Sequence, residues 1–218
     1  LQGKITEKLL KLMNINYCII DHPKDFTKLG KIIDISKKKQ MPVACLIKKN
    51  TLKKRYNKIK KKTKDKTKLK RHEIISFIIK KNYKNIKIFS TTGYTSRELY
   101  QLRKLNKSNT KDFLNVGAMG HTSMIALGYS LKNKKQKTLC LDGDGSLIMH
   151  MGTLPVIGEN SAKNFKHIVF NNGAHESVGG QKTPQKNMSL KKLSLSCGYK
   201  KYFFSNSLND FKKKYTFF

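Results

Sequence analysis

The apolar residues of this chain fall into short runs that alternate with segments of helical spacing, most regularly from residue 72 onward. Short apolar runs predict strands, and apolar residues three or four positions apart predict amphipathic helices. The predicted strands lie at 86–90, 113–116, 138–141, 167–170 and 202–204. The predicted helices lie at 73–81, 97–105, 124–131, 147–158, 190–197 and 208–215. This alternation predicts an α/β fold, a doubly wound parallel sheet with helices on both faces.

The first 50 residues show the same pattern on a smaller scale. Helical spacing at 3–13 and 26–38 alternates with apolar runs at 15–20 and 42–47. Two strands and two helices are too few to close a core, so residues 1–50 are predicted to be a remnant of a second α/β domain. The chain begins with Leu1 rather than Met, which we interpret as a fragment or a truncated gene product.

The segment that follows, residues 51–71, is dominated by positive charge. Between positions 52 and 71, twelve residues are Lys or Arg and one is Asp. Like charges repel one another and few apolar residues interrupt them, so the segment cannot build a core. It is predicted to be a solvated Lys-rich linker to a main domain at 72–218. The functional alternative for this segment is the binding of a polyanion.

The whole chain carries a formal net charge of +34 at pH 7. Such a charge favours nucleic acid as a partner, but nearly all basic residues are Lys, whereas Arg is the usual residue for bidentate contacts to bases and phosphates. Nucleic acid is therefore not expected as a partner. No apolar run approaches the ~18 residues of a membrane helix, so no membrane is expected. The 4 cysteines lack CxxC spacing and indicate free thiols in a reducing, cytoplasmic compartment.

The strongest chemical signal is an aspartate between two glycines, Asp144, directly after an apolar strand. Gly143 and Gly145 let the backbone turn tightly beside a ligand, and Ser146 is predicted to open the next helix, whose free amides favour phosphate. Asn172 follows the next strand, 28 positions after Asp144. Carboxylate and carboxamide oxygens at neighbouring strand ends suit a hard cation and the phosphates that it carries. Taken singly, each of these segments would be an ordinary turn.

Glycine-bearing turns follow four of the predicted strands, at Gly93, 117–120, 143–145 and Gly173. In an open parallel sheet such turns gather along one edge, at the carboxyl ends of the strands, where ligands bind. One such turn carries no information. Four on one edge, one with Asp and one with Asn-Asn, predict a phosphate and metal site.

The amino-acid sequences of these turns resemble those of the thiamine diphosphate-dependent decarboxylases. Within that family they closely resemble the enzymes that act on phosphonopyruvate. The segments that carry the resemblance are Thr91-Thr-Gly-Tyr-Thr-Ser-Arg-Glu-Leu99, Gly117-Ala-Met-Gly-His-Thr-Ser-Met-Ile-Ala-Leu-Gly128, Met149-His-Met-Gly152 and Asn171-Asn-Gly-Ala-His-Glu-Ser-Val-Gly-Gly180. Gly-Asp-Gly followed by Asn-Asn is similar to the cofactor signature of this family. Residues 1–50 look like the tail of the family's pyrimidine-binding domain, and 72–218 like its diphosphate-binding domain.

The resemblance implies that the chain uses thiamine diphosphate and Mg²⁺. The implied metal ligands are Asp144, Asn172 and the backbone carbonyl of Ala174, with Asn171 as the alternative if the register differs by one. The residues implied to bind the cofactor are Thr92, Gly93, Gly117, Met119, Gly143, Gly145 and Ser146. Among them, Thr92 and Gly93 would approach the diphosphate and Met119 would support the V-shaped cofactor.

Candidate catalytic residues lie beside these turns. His121 would face the site by resemblance, although a residue at this position can equally serve beside a helix end. His175 and Glu176 lie just past Asn172, within reach of a bound substrate. His150 falls inside the predicted helix at 147–158 and is interpreted as a packed structural histidine.

The implied reaction is decarboxylation of 3-phosphonopyruvate to phosphonoacetaldehyde and CO₂, a step toward 2-aminoethylphosphonate. Sulfopyruvate decarboxylation is the alternative within the family, and an inactive thiamine fold that binds polyanions is the alternative from another class. Family members build the cofactor site between two chains, so a homo-oligomer or a complementing pyrimidine-domain chain is expected. The glutamate that activates the cofactor in the family has no match in residues 1–50, so we expect the chain to act with a further segment or chain.

Overall fold

A computed structural model describes residues 2–52, 69–81, 86–108, 111–161, 163–185 and 188–215. The chain forms two compact units, Leu1–Lys64 and Asp65–Phe218. The predicted linker at 51–71 spans the division between them, and most of it, residues 53–68, lies outside the described residues. The linker and the domain limits therefore remain predictions.

The first unit is a small β-α-β arrangement preceded by a helix. Its elements are α1 (Gln2–Leu12), β1 (Asn16–Ile20), a 3-10 turn (Pro23–Asp25), α2 (Phe26–Lys39) and β2 (Val43–Ile47). β1 and β2 pair in parallel, with Cys18 opposite Cys45. Ile20 and Ile32 are buried between this pair and α2. These elements confirm the two helices and two strands predicted for residues 1–50.

The second unit is built on a parallel sheet of four strands, in the order β4-β3-β5-β6 among the described residues. The strands are β3 (Ile86–Ser90), β4 (Phe113–Leu114), β5 (Lys137–Gly143) and β6 (Phe165–Phe170). The helices are α3 (Arg71–Lys81), α4 (Tyr94–Leu105), α5 (Thr122–Lys132), α6 (Asp144–Met149), α7 (Thr153–Asn160), α8 (Leu190–Ser196) and α9 (Leu208–Tyr215). A separate antiparallel pair joins β7 (Ala174–His175) to β8 (Gln181–Lys182). None of the described helices has the length and apolar character needed to span a membrane.

The sheet carries an apolar core on each face, because successive side chains of a strand point to opposite sides. On one face Ile88, Leu139 and Leu141 pack with residues of α3, α4 and α9. On the other face Phe89 and Cys140 pack with residues of α5 and α7. All five side chains are buried. Helices on both faces of a parallel sheet confirm the predicted doubly wound fold.

The strand order creates a crevice at the carboxyl edge of the sheet. β3 is flanked by β4 on one side and β5 on the other, since Phe89 pairs with Phe113 and also with Cys140. After β3 the chain forms β4 on one side of β3. It then returns to form β5 on the other side. In open α/β sheets, ligands bind outside the strand ends at such a reversal. The turn after β3 and the start of α6, directly after β5, border this point.

The single helix predicted at 147–158 is wrong, because the structure has two. α6 begins earlier, at Asp144, and ends at Met149, and α7 begins only at Thr153. His150 leaves the helical conformation, with φ −133° and ψ 50°. Its ring lies against Gly120, so a long-range contact accompanies the break that helical periodicity did not reveal. His150 is thus at a helix end and not inside a helix.

The strand predicted at 202–204 is also wrong, since the structure forms no strand there. Phe203 and Phe204 are 52% and 63% exposed, unlike the buried residues of a central strand. The Phe204 carbonyl accepts a hydrogen bond from the Lys214 side chain of α9. A side chain, and not a neighbouring strand, therefore satisfies this backbone group.

Candidate functional site

The Ser146 hydroxyl joins three turns at the carboxyl edge of the sheet. It lies 2.9 Å from the hydroxyl of Thr91, which follows β3, and it accepts a hydrogen bond of 3.1 Å from the Gly120 amide. Thr91 and Ser146 are 3% and 2% exposed. Ser146 is the third residue of α6, so it does not open that helix as the sequence predicted. Its hydroxyl cross-links the turns, and its predicted role in cofactor binding stays a prediction.

The turn after β3 packs closely against the turn that follows β7. Gly93 has φ +93°, and a Cβ atom added there would lie 2.8 Å from the Ser177 hydroxyl oxygen. Only glycine fits such a conformation without strain. Thr92 donates a 2.9 Å hydrogen bond to the Val116 carbonyl in the next turn. Thr92 and Gly93 are therefore held in place from both sides.

The turn before α5 is shaped by Asn115, a buried residue just after β4. Its side-chain amide donates to the Ala118 carbonyl at 3.1 Å and to the Thr122 hydroxyl at 2.8 Å. Within this turn Ala118 and Gly120 both have positive φ values, +42° and +91°. Gly117 is exposed, and a Cβ atom added to it would contact nothing within 4 Å.

Met119 reaches from this turn toward the Gly-Asp-Gly segment. Its terminal methyl carbon would lie 3.3 Å from a Cβ atom added to Gly145. The same added atom would lie 2.5 Å from the His175 ring. Gly145 is thus the point at which Met119 and His175 converge, although they are 56 positions apart in the sequence.

Thr183 connects the segments that follow β5 and β6, which carry Asp144 and Asn172. Its hydroxyl donates to Oδ2 of Asp144 at 2.5 Å, and its backbone amide donates to the Gly173 carbonyl at 3.0 Å. Thr183 and Asp144 are 6% and 2% exposed. The start of α6, directly after β5, and the turn after β6 are therefore tied together through one residue. Thr183 lies in a polar stretch with no recognisable periodicity, so the sequence offered no signal for it.

The two asparagines of the turn after β6 have different partners. Asn171 donates from Nδ2 to the side chain of Gln185 at 2.8 Å. Asn172 donates from Nδ2 to Oε2 of Glu176 at 3.3 Å, and its Oδ1 accepts from the Ala174 amide at 3.2 Å. The side chain of Asn172 is therefore bound within the turn that leads to Ala174 and Glu176.

Arg71 is the second residue that the sequence did not single out. It donates from Nε and Nη2 to the carboxylate of Glu98, at 3.0 and 2.8 Å, and it also reaches Oε2 of Glu176 at 3.3 Å. Burial alone would lower the pKa of Arg71, but the contacts with the two carboxylates raise it above its ordinary value. Arg71 was counted among the twelve basic residues of the predicted linker, where nothing distinguished it.

His121 and His150 form a pair of rings in edge-to-face contact, with centroids 4.2 Å apart. Nδ1 of His121 lies 3.2 Å from the Ala118 carbonyl oxygen. A carbonyl only accepts, so this contact assigns the hydrogen to Nδ1 and leaves Nε2 of the neutral ring as an acceptor. His121 is exposed, whereas His150 is half-buried.

A buried network of hydrogen-bonded side chains lies beneath these turns, on β5 and β6. Asp142 accepts from the Gly143 amide at 2.9 Å and lies 3.3 Å from Nε2 of His167, whose Nδ1 is 3.0 Å from the Tyr199 hydroxyl. Burial alone would raise the pKa of Asp142, but its hydrogen bonds with His167, Ser146 and Gly143 hold it below its ordinary value. This network supports the end of β5, which directly precedes Asp144.

Cys140, Asp142 and His167 have potential ligand atoms within 4.8 Å of one another. Sulfur and nitrogen donors suit zinc and related metals, whereas Mg²⁺ takes oxygen ligands. Burial raises the pKa of the Cys140 thiol well above its ordinary value. This cluster therefore does not fit Mg²⁺.

Residues 91–214 match the family described as "Thiamine pyrophosphate enzyme, C-terminal TPP binding domain". This range covers more than half of the chain and includes the turns at the carboxyl edge of the four-stranded sheet. The chain belongs to the thiamine pyrophosphate enzymes. The predicted resemblance and the predicted use of thiamine diphosphate are confirmed by this membership, whereas the use of Mg²⁺ stays a prediction.

Two groups of decarboxylases are similar to the chain. It is 37% identical to phosphonopyruvate decarboxylase of Streptomyces viridochromogenes over 123 residues, which are 56% of this chain and 30% of that protein. It is 35% identical to sulfopyruvate decarboxylase subunit beta of Methanocaldococcus jannaschii over 147 residues, which are 67% of this chain and 75% of that protein. The matched region thus spans about a third of the length of the phosphonopyruvate decarboxylase.

A solved structure of 2-oxoglutarate:ferredoxin oxidoreductase from Magnetococcus marinus is a weaker match. Its TM-score is 0.43 at 16% sequence identity, and the match covers 59% of this chain and 47% of that chain. This likeness is too low to support an argument about the site.

The donor chemistry of residues at the carboxyl edge suits a magnesium ion. Among the described residues, only Thr183 donates to the Asp144 carboxylate, and it takes Oδ2. Oδ1 of Asp144 thus accepts no hydrogen bond within the described part of the chain, and the Asn172 side chain and the Ala174 backbone each carry a neutral carbonyl oxygen. Oxygen donors of this kind are the ones that Mg²⁺ prefers.

Proposed function

We propose that this protein is a thiamine diphosphate-dependent carboxy-lyase that converts 3-phosphonopyruvate to phosphonoacetaldehyde and CO₂. The observation that carries the proposal is the pair of Thr183 hydrogen bonds, to Asp144 and to the Gly173 carbonyl. They join the two strand ends whose oxygens suit Mg²⁺. The similarity to phosphonopyruvate decarboxylases supports the choice of substrate.

In this proposal the chain holds the metal with Oδ1 of Asp144, Oδ1 of Asn172 and the Ala174 carbonyl. Asn171 is the alternative ligand if the register differs by one, and its Nδ2 donates to Gln185. Thr92 and Gly93 lie at the end of β3, beside the reversal in strand order, where an anionic ligand is expected.

Other turn residues line the same edge and would shape the cofactor pocket. They are Gly117, Gly143, Gly145, Ser146 and Met119. Gly145 leaves room for a close approach between Met119 and His175, so a larger residue at 145 would displace both. Met119 would support the cofactor by packing against it.

The chemistry requires an electron sink and a proton. When bound, thiamine diphosphate supplies the sink for the electron pair that CO₂ leaves behind. His121 and His175 are the chain's candidates for holding and moving a proton. His121 would act at Nε2, because its Nδ1 is occupied by the Ala118 carbonyl. Glu176 is committed to Arg71 and Asn172, so its role is better described as orienting than as proton transfer.

Sulfopyruvate is the alternative substrate, since the identities of 37% and 35% to the two kinds of decarboxylase are nearly equal. Both substrates are 2-oxo acids with a second strongly anionic group. The similar sulfopyruvate decarboxylase is a beta subunit by name. By analogy we propose that a complementing chain, or a second copy of this protein, completes the site and supplies the activating glutamate.

The test is a comparison of the two substrates with the complete gene product, thiamine diphosphate and Mg²⁺. The proposal is supported if CO₂ is released from phosphonopyruvate with a higher kcat/KM than from sulfopyruvate. The Asp144→Ala variant should release no CO₂ from either substrate. A higher kcat/KM on sulfopyruvate would change the substrate that we assign but would leave the proposed decarboxylation in place. Turnover of neither substrate, with and without a complementing pyrimidine-domain chain, would contradict it.

The polyanion-binding alternative is favoured by the twelve basic residues between 52 and 71. It predicts nucleic-acid binding that weakens steeply with salt and that survives Asp144→Ala. The proposed enzymatic function predicts instead that Asp144 is essential and that the basic residues are not. Replacing the lysines at 58–64 with Gln would leave turnover unchanged, whereas Asp144→Ala would abolish it.

A further inference from the structure

The carboxylate of Glu176 lies between a guanidinium and a carboxamide. Its Oε2 accepts from Nη1 and Nη2 of Arg71 at 3.4 and 3.3 Å, and from Nδ2 of Asn172 at 3.3 Å. An ionised carboxylate can only accept hydrogen bonds. The contact with Asn172 therefore requires the NH₂ group of that amide, and not its oxygen, to face Glu176.

This requirement orients Asn172. With its NH₂ group fixed on Glu176, Oδ1 is the atom of the amide that remains for a cation. Oδ1 also accepts from the Ala174 amide at 3.2 Å. A carbonyl oxygen has two lone pairs, so one remains available. Rotation of the amide by half a turn would present NH₂ to the cation and prevent binding.

Glu176 is not restrained by burial. Its side chain is 55% exposed, whereas the side chain of Arg71 is 18% exposed. Arg71 is in turn fixed by two hydrogen bonds to Glu98, at 3.0 and 2.8 Å. Paired hydrogen bonds between Arg and a carboxylate fix geometry as well as adding energy. Arg71 is therefore the rigid element, and Glu176 is held because it contacts Arg71.

We propose that Arg71 is a positioning residue for the metal: through Glu176 it fixes the Asn172 amide with Oδ1 available to Mg²⁺. This inference rests on the proposed function and adds to it a residue from α3 that would act through Glu176. Partners of this kind behind metal ligands typically change metal affinity by about 10–100-fold when they are removed.

Lysine does not replace arginine in this position. Arg71 contacts two carboxylates at once through a planar group with several donors, whereas lysine is a point charge on a flexible stem. Arg71→Lys retains the charge but cannot keep both contacts in the same geometry. It is expected to weaken Mg²⁺ binding nearly as much as Arg71→Gln, which separates positioning from simple electrostatics.

The test measures the Mg²⁺ concentration that gives half of the maximal thermal protection at a fixed thiamine diphosphate concentration. The complete gene product is compared with Arg71→Gln, Arg71→Lys, Glu176→Gln and the double variant Arg71→Gln/Glu176→Gln. Lys70→Gln and Glu159→Gln are charge-matched controls, because both residues are exposed and are not in contact with the site in the described part of the chain. Glu176→Gln covers the case in which an Arg71 variant fails to fold.

The expected result is a roughly tenfold higher half-saturating Mg²⁺ concentration in each single variant, with the same maximal protection at excess Mg²⁺. The double variant should be no worse than the single ones, because both act on one amide. Unchanged half-saturation in Glu176→Gln, with normal protection in the wild type, would overturn this inference alone. Absence of protection in the wild type would overturn the proposed function and this inference with it.

Discussion

The hydroxyl of Thr183 donates to the buried carboxylate of Asp144 at 2.5 Å, although the two residues are 39 positions apart. The backbone amide of Thr183 donates to the Gly173 carbonyl, so the residue ties the proposed metal ligand to the turn that carries the second one. This link also fixes which carboxylate oxygen of Asp144 remains free. A single hydroxyl thus couples the stability of the strand ends to the binding of the cation.

Thr183→Val should weaken both folding and cofactor binding. The change keeps the shape of the side chain but leaves Asp144 without its hydrogen bond, which is worth about 2 kcal/mol for a charged acceptor. The loss should also lower Mg²⁺ affinity by about tenfold. Urea unfolding and Mg²⁺ titration in the presence of thiamine diphosphate measure the two effects.

Thr183→Ser is the matched control for this substitution, because it retains the hydroxyl while removing a methyl group. It should keep nearly the wild-type Mg²⁺ affinity. If Thr183→Val and Thr183→Ser had the same affinity, the hydrogen bond to Asp144 would not be what positions the carboxylate.

Gly120→Ala should destabilise the turn before α5 strongly. Gly120 has φ +91°, and an added Cβ atom would overlap the His150 ring and lie 3.0 Å from the Ser146 carbonyl. Backbone strain of this kind costs about 1–3 kcal/mol before the steric overlap is counted. Thermal unfolding of the variant should therefore show a clear decrease in Tm.

Gly117→Ala provides the comparison within the same turn. A Cβ atom there would contact nothing within 4 Å, and Gly117 is not among the residues with positive φ. Its Tm should stay within a degree or two of the wild type, because exposed substitutions without such features change stability by less than about 0.5 kcal/mol. Equal effects of the two substitutions would show that the His150 contact does not constrain position 120.

Stability should depend on Asp142 at acid pH. The pKa of Asp142 is lowered in the folded state because the bonds with His167, Ser146 and the Gly143 amide outweigh the effect of burial. A carboxyl with a depressed folded-state pKa contributes stability above its unfolded pKa of about 3.9 and loses it as the pH falls through the folded value. The free energy of unfolding should therefore decrease below about pH 4.

Asp142→Asn tests the origin of that decrease. The variant should be less stable than the wild type at pH 7 and should lose less stability between pH 5 and pH 2.5, measured by urea unfolding at each pH. The same acid slope in both proteins would assign the decrease to other carboxyl groups.

The sequence predicted the parts of the fold that are encoded locally. Buried parallel strands such as β3 and β5 are short apolar runs; Asp144 follows β5 directly, and Asn172 lies two positions after β6. Because the strands are parallel, the turns that follow them share an edge, which the structure confirms. The roles of the individual site residues remain predictions, since only the turns' positions follow from the fold.

The features that the sequence did not predict depend on contacts between distant residues. Thr183 and Arg71 look like ordinary polar and basic residues until the fold brings them to Asp144 and Glu176. The break at His150 accompanies the packing of its ring on Gly120, 30 positions earlier in the chain. The predicted strand at 202–204 failed for a related reason, because an apolar run forms a strand only where a neighbouring strand can pair with it.

The most direct test of the central claim is thermal unfolding of the complete gene product with and without thiamine diphosphate and Mg²⁺. A ligand that binds only the folded state raises Tm. The two together should raise the Tm of the wild type and of Asn171→Ala, and should leave the Tm of Asp144→Ala and Asn172→Ala unchanged. Equal protection of Asp144→Ala and the wild type would contradict the assignment of Asp144 and Asn172 as the residues that hold the metal.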